Sequence, residues 1–569
     1  MRNYNNLPSV PAPKYIEDFR QLIRTNAECY GNKAQFIYIE NGERKEKTYN
    51  GMYRDVSAFS TSLLKKGLGG KAIAVIGDLH PAWMTAFHST IITGGVIVPL
   101  DHELDCDQMA NFMKIAGCSA VVYTQAMNKK IEEARPMLDF IEYFIPVLPD
   151  ENENGDRVFP FSDFIKEGNE LRDNGDTSYE DLEFDMNKMC AIFFTSGTTG
   201  TSKGVMLSHH NIVSAANASC NSTQYGSEDK YVSVLPIHHT YELVPGQIAA
   251  TNLGATVFIC DGVRYATRRF KEEKPTCLVL VPLFLETIHK KIWSEIKKKG
   301  MEKKVRAAMK FSDNLLKVGI DNRPKLFGDI TSVFGGRLKS IVVGGAPLDP
   351  QIVKDLYSFG ITVIQGYGIT ECAPLVSVNR PGKVGFDTVG QPVAGCQVKI
   401  VPIEGTDNGE GEILVKGENV MMGYYKNEEA TNAAFTEDGW FKTGDIGTMD
   451  KEGYIRITGR LKNVIIASNG KNVFPEELEE RLLRIPSIRE TVVVSRDTDD
   501  GQEIVAIIVP DYDVLGEKTT DAEAAKVFKD AVSEINRSLP AYKHIDRIEI
   551  RHEDFEKTLT KKIKRFLVK

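Results

Sequence analysis

The run Ala191-Ile192-Phe193-Phe194-Thr195-Ser196-Gly197-Thr198-Thr199-Gly200-Thr201-Ser202-Lys203-Gly204-Val205-Met206-Leu207-Ser208-His209 carries the residues from which the fold and the chemistry are read. Ala191 to Phe194 is a short apolar strand pattern, and a loop of glycines and hydroxyl residues follows at once. Gly197, Gly200 and Gly204 let a backbone turn tightly around an anion. Six hydroxyl side chains between Thr195 and Ser202, with the backbone N–H groups, supply donors, and Lys203 adds positive charge. This is the composition of a polyphosphate cradle. A plain Ser/Thr-rich surface loop is the weaker reading, given this density and the strand before it. The pattern G-x-x-x-x-G-K-[ST] does not fit, because Ser202 holds its second glycine position and Gly204 stands where Ser or Thr should follow the lysine.

Outward from this loop, short apolar runs alternate with helical stretches. Ala72 to Ile76, Gly94 to Pro99, Val121 to Tyr123, Thr256 to Ile259, Cys277 to Val281 and Ser340 to Val343 read as strands, and Leu285 to Lys299 as a helix. The alternation predicts an α/β fold with largely parallel sheets, whose ligand loops lie at the carboxyl ends of strands. From about Gly390 the texture changes to short strands between Gly, Asp and Asn turns, as in a small antiparallel barrel. After Arg460 comes a unit of about a hundred residues with helices at Glu476 to Ile485 and Asp521 to Leu539 and strands between them. The predicted architecture is a large N-terminal domain, 1–461, of parallel α/β sheets plus a small β-barrel subdomain. A small mobile α+β C-terminal domain, 462–569, follows.

Composition bounds the function. Of 569 residues, 42% are apolar and 26% charged, enough to bury large cores. With 70 Lys plus Arg against 78 Asp plus Glu, the net charge is −8, which argues against a general nucleic-acid binder. The nine cysteines are scattered without a C-x-x-C pair, so neither a metal cluster nor a disulfide framework is expected, and a reducing, cytoplasmic setting fits. The N-terminus lacks an apolar core for a signal peptide.

Further motifs follow the glycine-rich loop in order: Leu235-Pro236-Ile237-His238-His239, Gly344-Gly345-Ala346-Pro347-Leu348, Gln365-Gly366-Tyr367-Gly368-Ile369-Thr370-Glu371, Gly423-Tyr424-Tyr425, Trp440-Phe441-Lys442-Thr443-Gly444-Asp445 and Gly459-Arg460-Leu461-Lys462. With them the chain resembles the adenylate-forming superfamily of acyl-CoA synthetases, peptide-synthetase adenylation domains and luciferases, from about Lys45 to the C-terminus. The resemblance implies an ATP site built from Thr195, Ser196, Gly197, Thr198, Thr199, Gly200, Lys203, Gly345, Ala346, Pro347, Gln365, Gly366, Tyr367, Gly368, Thr370, Asp445 and Arg460. Each has a physical rationale: Tyr367 offers a flat ring for adenine. The Glu371 carboxylate suits Mg²⁺, Asp445 accepts from ribose hydroxyls, and Arg460 forks onto oxygens. His239 falls at the acyl-pocket position.

By the same resemblance the catalytic lysine is Lys562, although Glu556 replaces the family's proline and Lys561 its glycine, so the assignment can slip within Lys561, Lys562 and Lys564. Lys562 would stabilise charge at the α-phosphate, with Thr195, Glu371 and His239 as the other catalytic residues. Lys462 takes the hinge position, and Ser468, Asn469, Gly470 and Lys471 the turn that lines the thiol channel. The implied substrates and cofactors are ATP, Mg²⁺, CoA and a carboxylic acid, most like those of bacterial long-chain fatty acyl-CoA synthetases. Val281, Leu283 and Phe284 are candidate tunnel walls. The Lys-rich segment Lys290 to Lys310 has Ile292, Trp293 and Ile296 on one face. It is the candidate for peripheral contact with the inner face of a membrane, and its plainer reading is a solvated helix. A carrier-protein thiol in place of CoA, a nucleotide-binding module without catalysis, and a P-loop ATPase are the alternatives.

Overall fold

The computed structural model describes residues 15–150, 155–183, 185–195, 202–223, 225–380, 382, 385–404, 406, 409–466, 471–498, 501–516, 518–557 and 563–568. The chain divides into two compact units, one of residues up to Gln397 with Gly417–Ala433, the other of Val398–Lys416 with Ala434 onward. Packing therefore groups the barrel-like strands with the C-terminal residues. The expected boundary at 461/462 rests on the resemblance, and it falls inside the second unit.

The first unit is built on two sheets. In the seven-stranded sheet the order is Gly423–Tyr424, Lys203–Ser208, Met189–Thr195, Val96–Leu100, Ala72–Ile76, Cys118–Tyr123, Tyr143–Pro146. Its last five strands are parallel, and Lys203–Ser208 and Gly423–Tyr424 are antiparallel. The nine-stranded sheet has a parallel centre of Ala34–Glu40, Thr256–Ile259, Lys230–Ser233, Cys277–Leu280, Ser340–Val343 and Thr362–Gly368. Antiparallel strands flank it, Glu43–Thr48 on one edge and Leu375–Val378 with Gln391–Pro392 on the other. The parallel strands are apolar on both faces because helices cover both sides, which is why they read as continuous runs.

The second unit holds a sheet of Cys396–Pro402, Gly411–Gly417, Phe441–Met449 and Ile455–Arg460. Beyond it, Ile488–Thr498 and Gly501–Pro510 pair antiparallel, and Arg547–Ile550 adds parallel to the latter. Helices Pro475–Leu483 and Asp521–Arg537 pack their Leu478, Leu482, Ala524, Phe528 and Val532 against Val493, Ile504, Ala506 and Ile508. The expected α/β architecture with a small C-terminal α+β part is observed.

Two expectations are corrected here. Ile292, Trp293 and Ile296, offered as a membrane-facing stripe, are buried in the core against Leu285, Phe327 and Phe359. Burial of that face against the neighbouring helices leaves the lysines, not the apolar residues, toward solvent. Leu283, offered as a tunnel wall, is 55% exposed, because it lies in the first turn of helix Pro282–Lys298 on its outer side. All nine cysteines are unpaired, and among the described residues no helix is long and apolar enough to cross a membrane.

Candidate active site

The glycine-rich loop leaves a strand and returns as a strand. Thr195 pairs with Lys203 and Phe194 with Gly204 in an antiparallel ladder, so a hairpin stands where a P-loop would open a helix. Thr195 Oγ1 donates to the Lys203 carbonyl at 3.4 Å. Ser196, Gly197, Thr198, Thr199 and Gly200 lie outside the described residues, so the structure bears on the cradle through its two ends, Thr195 and Lys203. The helix after the hairpin, His209–Ser222, starts where a capping box dictates. Ser208 Oγ accepts from the Asn211 N–H at 3.1 Å, and the Ser208 N–H donates back to Asn211 Oδ1 at 2.8 Å.

The edge strand Gly423–Tyr424 brings a second set of residues to this hairpin. The Tyr425 N–H donates to the Gly204 carbonyl at 2.7 Å and the Met422 N–H to the Met206 carbonyl at 3.0 Å. Lys203 Nζ consequently lies 4.8 Å from the centroid of the Tyr424 ring. The Tyr424 hydroxyl donates to Glu371 Oε1 at 3.0 Å, and the Met421 N–H to the Glu371 carbonyl at 2.8 Å. Burial and the Glu371 carboxylate both push the Tyr424 phenol upward, so it remains a donor. Thr195, Lys203, Tyr424 and Glu371 thus form one connected line of groups. Glu371 is half-buried and, among the described residues, accepts a single side-chain hydrogen bond, which leaves lone pairs for an external ligand.

Glu371 sits in the turn Thr370–Cys372, between Gly366-Tyr367-Gly368 and Pro374-Leu375. Those flanking residues line a mainly apolar cavity of about 60 Å³ together with Ser219, Ser222, Thr223, Tyr241, Pro245 and Val342. Tyr367 is 6% exposed, with its ring in this wall. Gly368 is required by the fold itself, since a Cβ there would lie 2.2 Å from the Pro374 carbonyl oxygen. Gly345, Ala346 and Pro347 are exposed at the carboxyl end of strand Ser340–Val343, where a parallel sheet presents its ligand loops. Gly345 adopts φ +88, which favours glycine. Gln365 is buried, and its amide donates to the Phe386 carbonyl at 3.0 Å.

His239 is half-buried beside His238, with ring centroids 4.1 Å apart, and lies outside the cavity lining. The wall comes instead from Tyr241 and Pro245. Tyr241 is fixed by donating its hydroxyl to the Leu280 carbonyl at 3.1 Å, and Pro245 lies inside the π-helix Glu242–Ala249. Sequence reading missed Tyr241, Pro245, Ser219 and Ser222 as lining residues. The signal available was the proline inside an apolar helical run, the kind of irregularity that marks functional helices.

In the second unit, Asp445 is 2% exposed and paired with Arg460, Nε to Oδ1 at 2.8 Å. The turn before it is held by the Gly444 N–H donating to Glu412 Oε1 at 3.1 Å and Thr443 Oγ1 donating to the Ile413 carbonyl at 2.7 Å. Lys462 is exposed in the turn Leu461–Asn463. Lys471 packs its ammonium 4.9 Å over the Tyr542 ring, while Ser468, Asn469 and Gly470 lie outside the described residues. So does Lys562. Its chain neighbours are anchored: Lys557 pairs with Ile563 in an antiparallel bridge, Lys557 with Glu490 and Arg565 with Glu479 in ion pairs. Lys564 faces Glu556 at 3.8 Å.

The profile of the AMP-binding enzyme family matches residues 23–425, and that of the AMP-binding enzyme C-terminal domain residues 477–562. The chain belongs to the AMP-binding enzyme family. As a member of this adenylate-forming group it is 29% identical, over 438 residues, to fatty acyl-CoA synthetase A of Dictyostelium discoideum; the match covers 71% of this chain and 64% of that protein's length. It is 28% identical to the probable 4-coumarate–CoA ligase 2 of Dictyostelium discoideum, covering 79% of this chain and 78% of that one. Its fold is that of the anthranilate CoA ligase AuaEII crystallised with anthranoyl-AMP, with a TM-score of 0.76, 19% identity, and 100% and 98% of the two chains covered.

Proposed function

We propose that this AMP-binding enzyme is an ATP-dependent, AMP-forming acid–thiol ligase that makes an acyl-CoA. The observation that carries the reading is the line Thr195–Lys203–Tyr424–Glu371 beside a cavity walled by Tyr367. It joins the ends of a phosphate cradle to a carboxylate that accepts one side-chain hydrogen bond among the described residues, and to an apolar recess for an acid.

The reaction proceeds in two displacements. A carboxylate oxygen of the acid bonds to the α-phosphorus of ATP, and the bond to pyrophosphate breaks. The thiolate of CoA then bonds to the acyl carbon, and AMP leaves with the electron pair of the anhydride oxygen. The carboxylate is already a nucleophile, so the protein's task is positioning and charge neutralisation. Lys203 and the Thr195 hydroxyl hold the phosphates, Asp445 accepts from the ribose hydroxyls, and the ion pair with Arg460 aims the Asp445 carboxylate. Glu371 fits Mg²⁺, an ion held by one or two carboxylates plus substrate phosphates, and the bound ion would supply counter-charge to the triphosphate. Lys562 carries the cation of the adenylation step, and rotation at Lys462 between domains 1–461 and 462–569 exchanges it for the thiol-channel turn that ends at Lys471.

The acid is read as a medium- to long-chain fatty acid, supported by the resemblance of the motifs and by the Dictyostelium fatty acyl-CoA synthetase. A second reading, a compact aromatic or short-chain acid, is favoured by one observation. The cavity of about 60 Å³ is well below the ~300 Å³ and upward typical of ligand sites. The unpaired cysteines support a reducing, cytoplasmic setting. The test is product analysis with ATP, Mg²⁺, CoA and a panel of short, long-chain and aromatic acids. Acyl-CoA with AMP is the expected outcome and names the acid. Adenylate without thioester would move the acceptor to a carrier-protein thiol, and ADP with phosphate would refute the proposal. Lys562→Ala should slow adenylate formation tenfold or more, on the order of one lost charge-stabilising group, and spare thioester formation from supplied adenylate.

A further inference from the structure

We propose that Asp101, His102 and His238 form a binding site for one divalent transition-metal ion of the Zn²⁺ class, separate from Glu371. Asp101 and His102 leave the carboxyl end of strand Val96–Leu100 in the seven-stranded sheet. His238 lies in the turn after strand Lys230–Ser233 in the nine-stranded sheet. One ligand atom from each residue lies within 4.8 Å of the other two. His238 Nε2 is 3.4 Å from Asp101 Oδ2, and His102 Nδ1 is 3.9 Å from Asp101 Oδ1. Ligand bonds of about 2.0–2.2 Å in a tetrahedral zinc site put neighbouring donors about 3.3 Å apart, so one pair is already at that spacing and the second is within a rotamer adjustment.

His238 supplies the independent observation. It is 8% exposed, and neither of its ring nitrogens makes a hydrogen bond of normal geometry among the described residues. Buried polar groups are nearly always satisfied, and a metal bond at Nε2, the nitrogen that faces Asp101, would satisfy one of the two. Asp101 is a suitable anionic partner. Its Oδ1 accepts from the Glu103 N–H at 2.9 Å, which fixes the carboxylate beside the two rings. Two imidazoles and one carboxylate suit Zn²⁺, Ni²⁺ or Co²⁺ and do not suit Mg²⁺, which takes oxygen ligands. His102 is about one-third exposed, which opens a path from solvent, and three protein ligands leave one coordination position open. Because the two strands belong to different sheets, a bound ion would tie those sheets together beside His239.

The experiment uses the full chain stripped with chelator and titrated with Co²⁺, without ATP or acid. The expected result is one equivalent bound, with ligand-field bands of nitrogen and oxygen donors, no thiolate-to-cobalt charge-transfer band, and displacement by Zn²⁺. Zn²⁺ should also raise the Tm of the wild type. His102→Ala, checked for folding by far-UV circular dichroism, should weaken binding by about 100-fold or more and remove the Tm response; Asp101→Asn should do the same. Absence of a stoichiometric site, a charge-transfer band reporting cysteine ligands, or undiminished binding by folded His102→Ala would each overturn the proposal.

Discussion

Two glutamates of the first unit, Glu242 and Glu371, carry the same carboxylate into opposite circumstances. Glu242 is fully buried at the start of the π-helix, and neutral donors surround it: Tyr231 Oη at 2.7 and 2.8 Å, Ser233 Oγ at 2.6 Å and Gln247 Nε2 at 2.7 Å. Burial pushes it up to about 7, against the pull of those hydrogen bonds. Glu371 is half-buried, accepts from Tyr424 alone among the side chains of the described residues, and is joined through Tyr424 to the hairpin of Thr195 and Lys203. The difference separates a carboxylate whose capacity is spent on holding the fold from one whose capacity is left for a ligand. Chemical type does not make that distinction. Saturation of the lone pairs makes it.

Substitution of each residue should break the molecule differently. The largest effect expected is at Glu371: Glu371→Ala should lower kcat/KM by roughly 100-fold or more, the scale of removing a charge-stabilising group from a transition state. Its Tm should stay near wild type. Normal Mg²⁺-dependent turnover by this variant would remove Glu371 from the site. Glu242→Ala should act on folding instead. It strands the Tyr231, Ser233 and Gln247 donors in a dry interior and leaves a cavity, a combined cost of about 4 kcal/mol, read as a lower urea midpoint. An unchanged midpoint with lost activity would reverse the assignment of the two glutamates.

The comparison also has a pH signature. Because Glu242 titrates near 7 in the folded chain and near 4.3 when unfolded, the folded state holds its proton more tightly. The stability it contributes is complete below the unfolded value, declines as pH rises, and is gone above about 7. Across that window wild type should lose up to about 3 kcal/mol relative to Glu242→Gln, because the amide mimics the neutral acid at every pH. Urea unfolding of both proteins at pH 5, 6, 7 and 8 reads the slope. Parallel curves would mean that Glu242 keeps an ordinary carboxylate pKa.

How far these roles were legible in the sequence depends on whether a residue's partners are local. The buried parallel strands, such as Ala72–Ile76 and Ser340–Val343, announced themselves because both faces are apolar. Edge strands did not: Glu43–Thr48 reads E-R-K-E-K-T, charge that guards an exposed edge and leaves no apolar pattern. Lys203–Ser208 was hidden because its glycine and lysine read as loop chemistry, while its pairing with Thr195 shows them in a returning strand. Ile292, Trp293 and Ile296 have the spacing of a membrane stripe and of a core stripe alike, and only the neighbouring helices decide. Glu371 stands out in its motif, but its connection to Lys203 runs through Tyr424, 53 positions away, which no local pattern reports. Asp101 and His238 meet from two different sheets, beyond the reach of any window reading.

Tyr424 gives the smallest and most discriminating test of the contrast. Its hydroxyl is the only side-chain donor on Glu371 among the described residues, and its ring lies under Lys203. Tyr424→Phe keeps the ring, and with it the contact to the ammonium, but deletes the hydrogen bond that fixes the carboxylate's orientation. One hydrogen bond to a charged group contributes about 1.5–3 kcal/mol, and solvent partly replaces it at a half-buried site, so kcat/KM should fall by about fivefold, near 1 kcal/mol. The effect should appear chiefly as a higher Mg²⁺ concentration for half-maximal rate, with the KM for the acid unchanged. If Glu371 were instead a structural carboxylate like Glu242, the same substitution would lower the Tm and leave the Mg²⁺ requirement where it was.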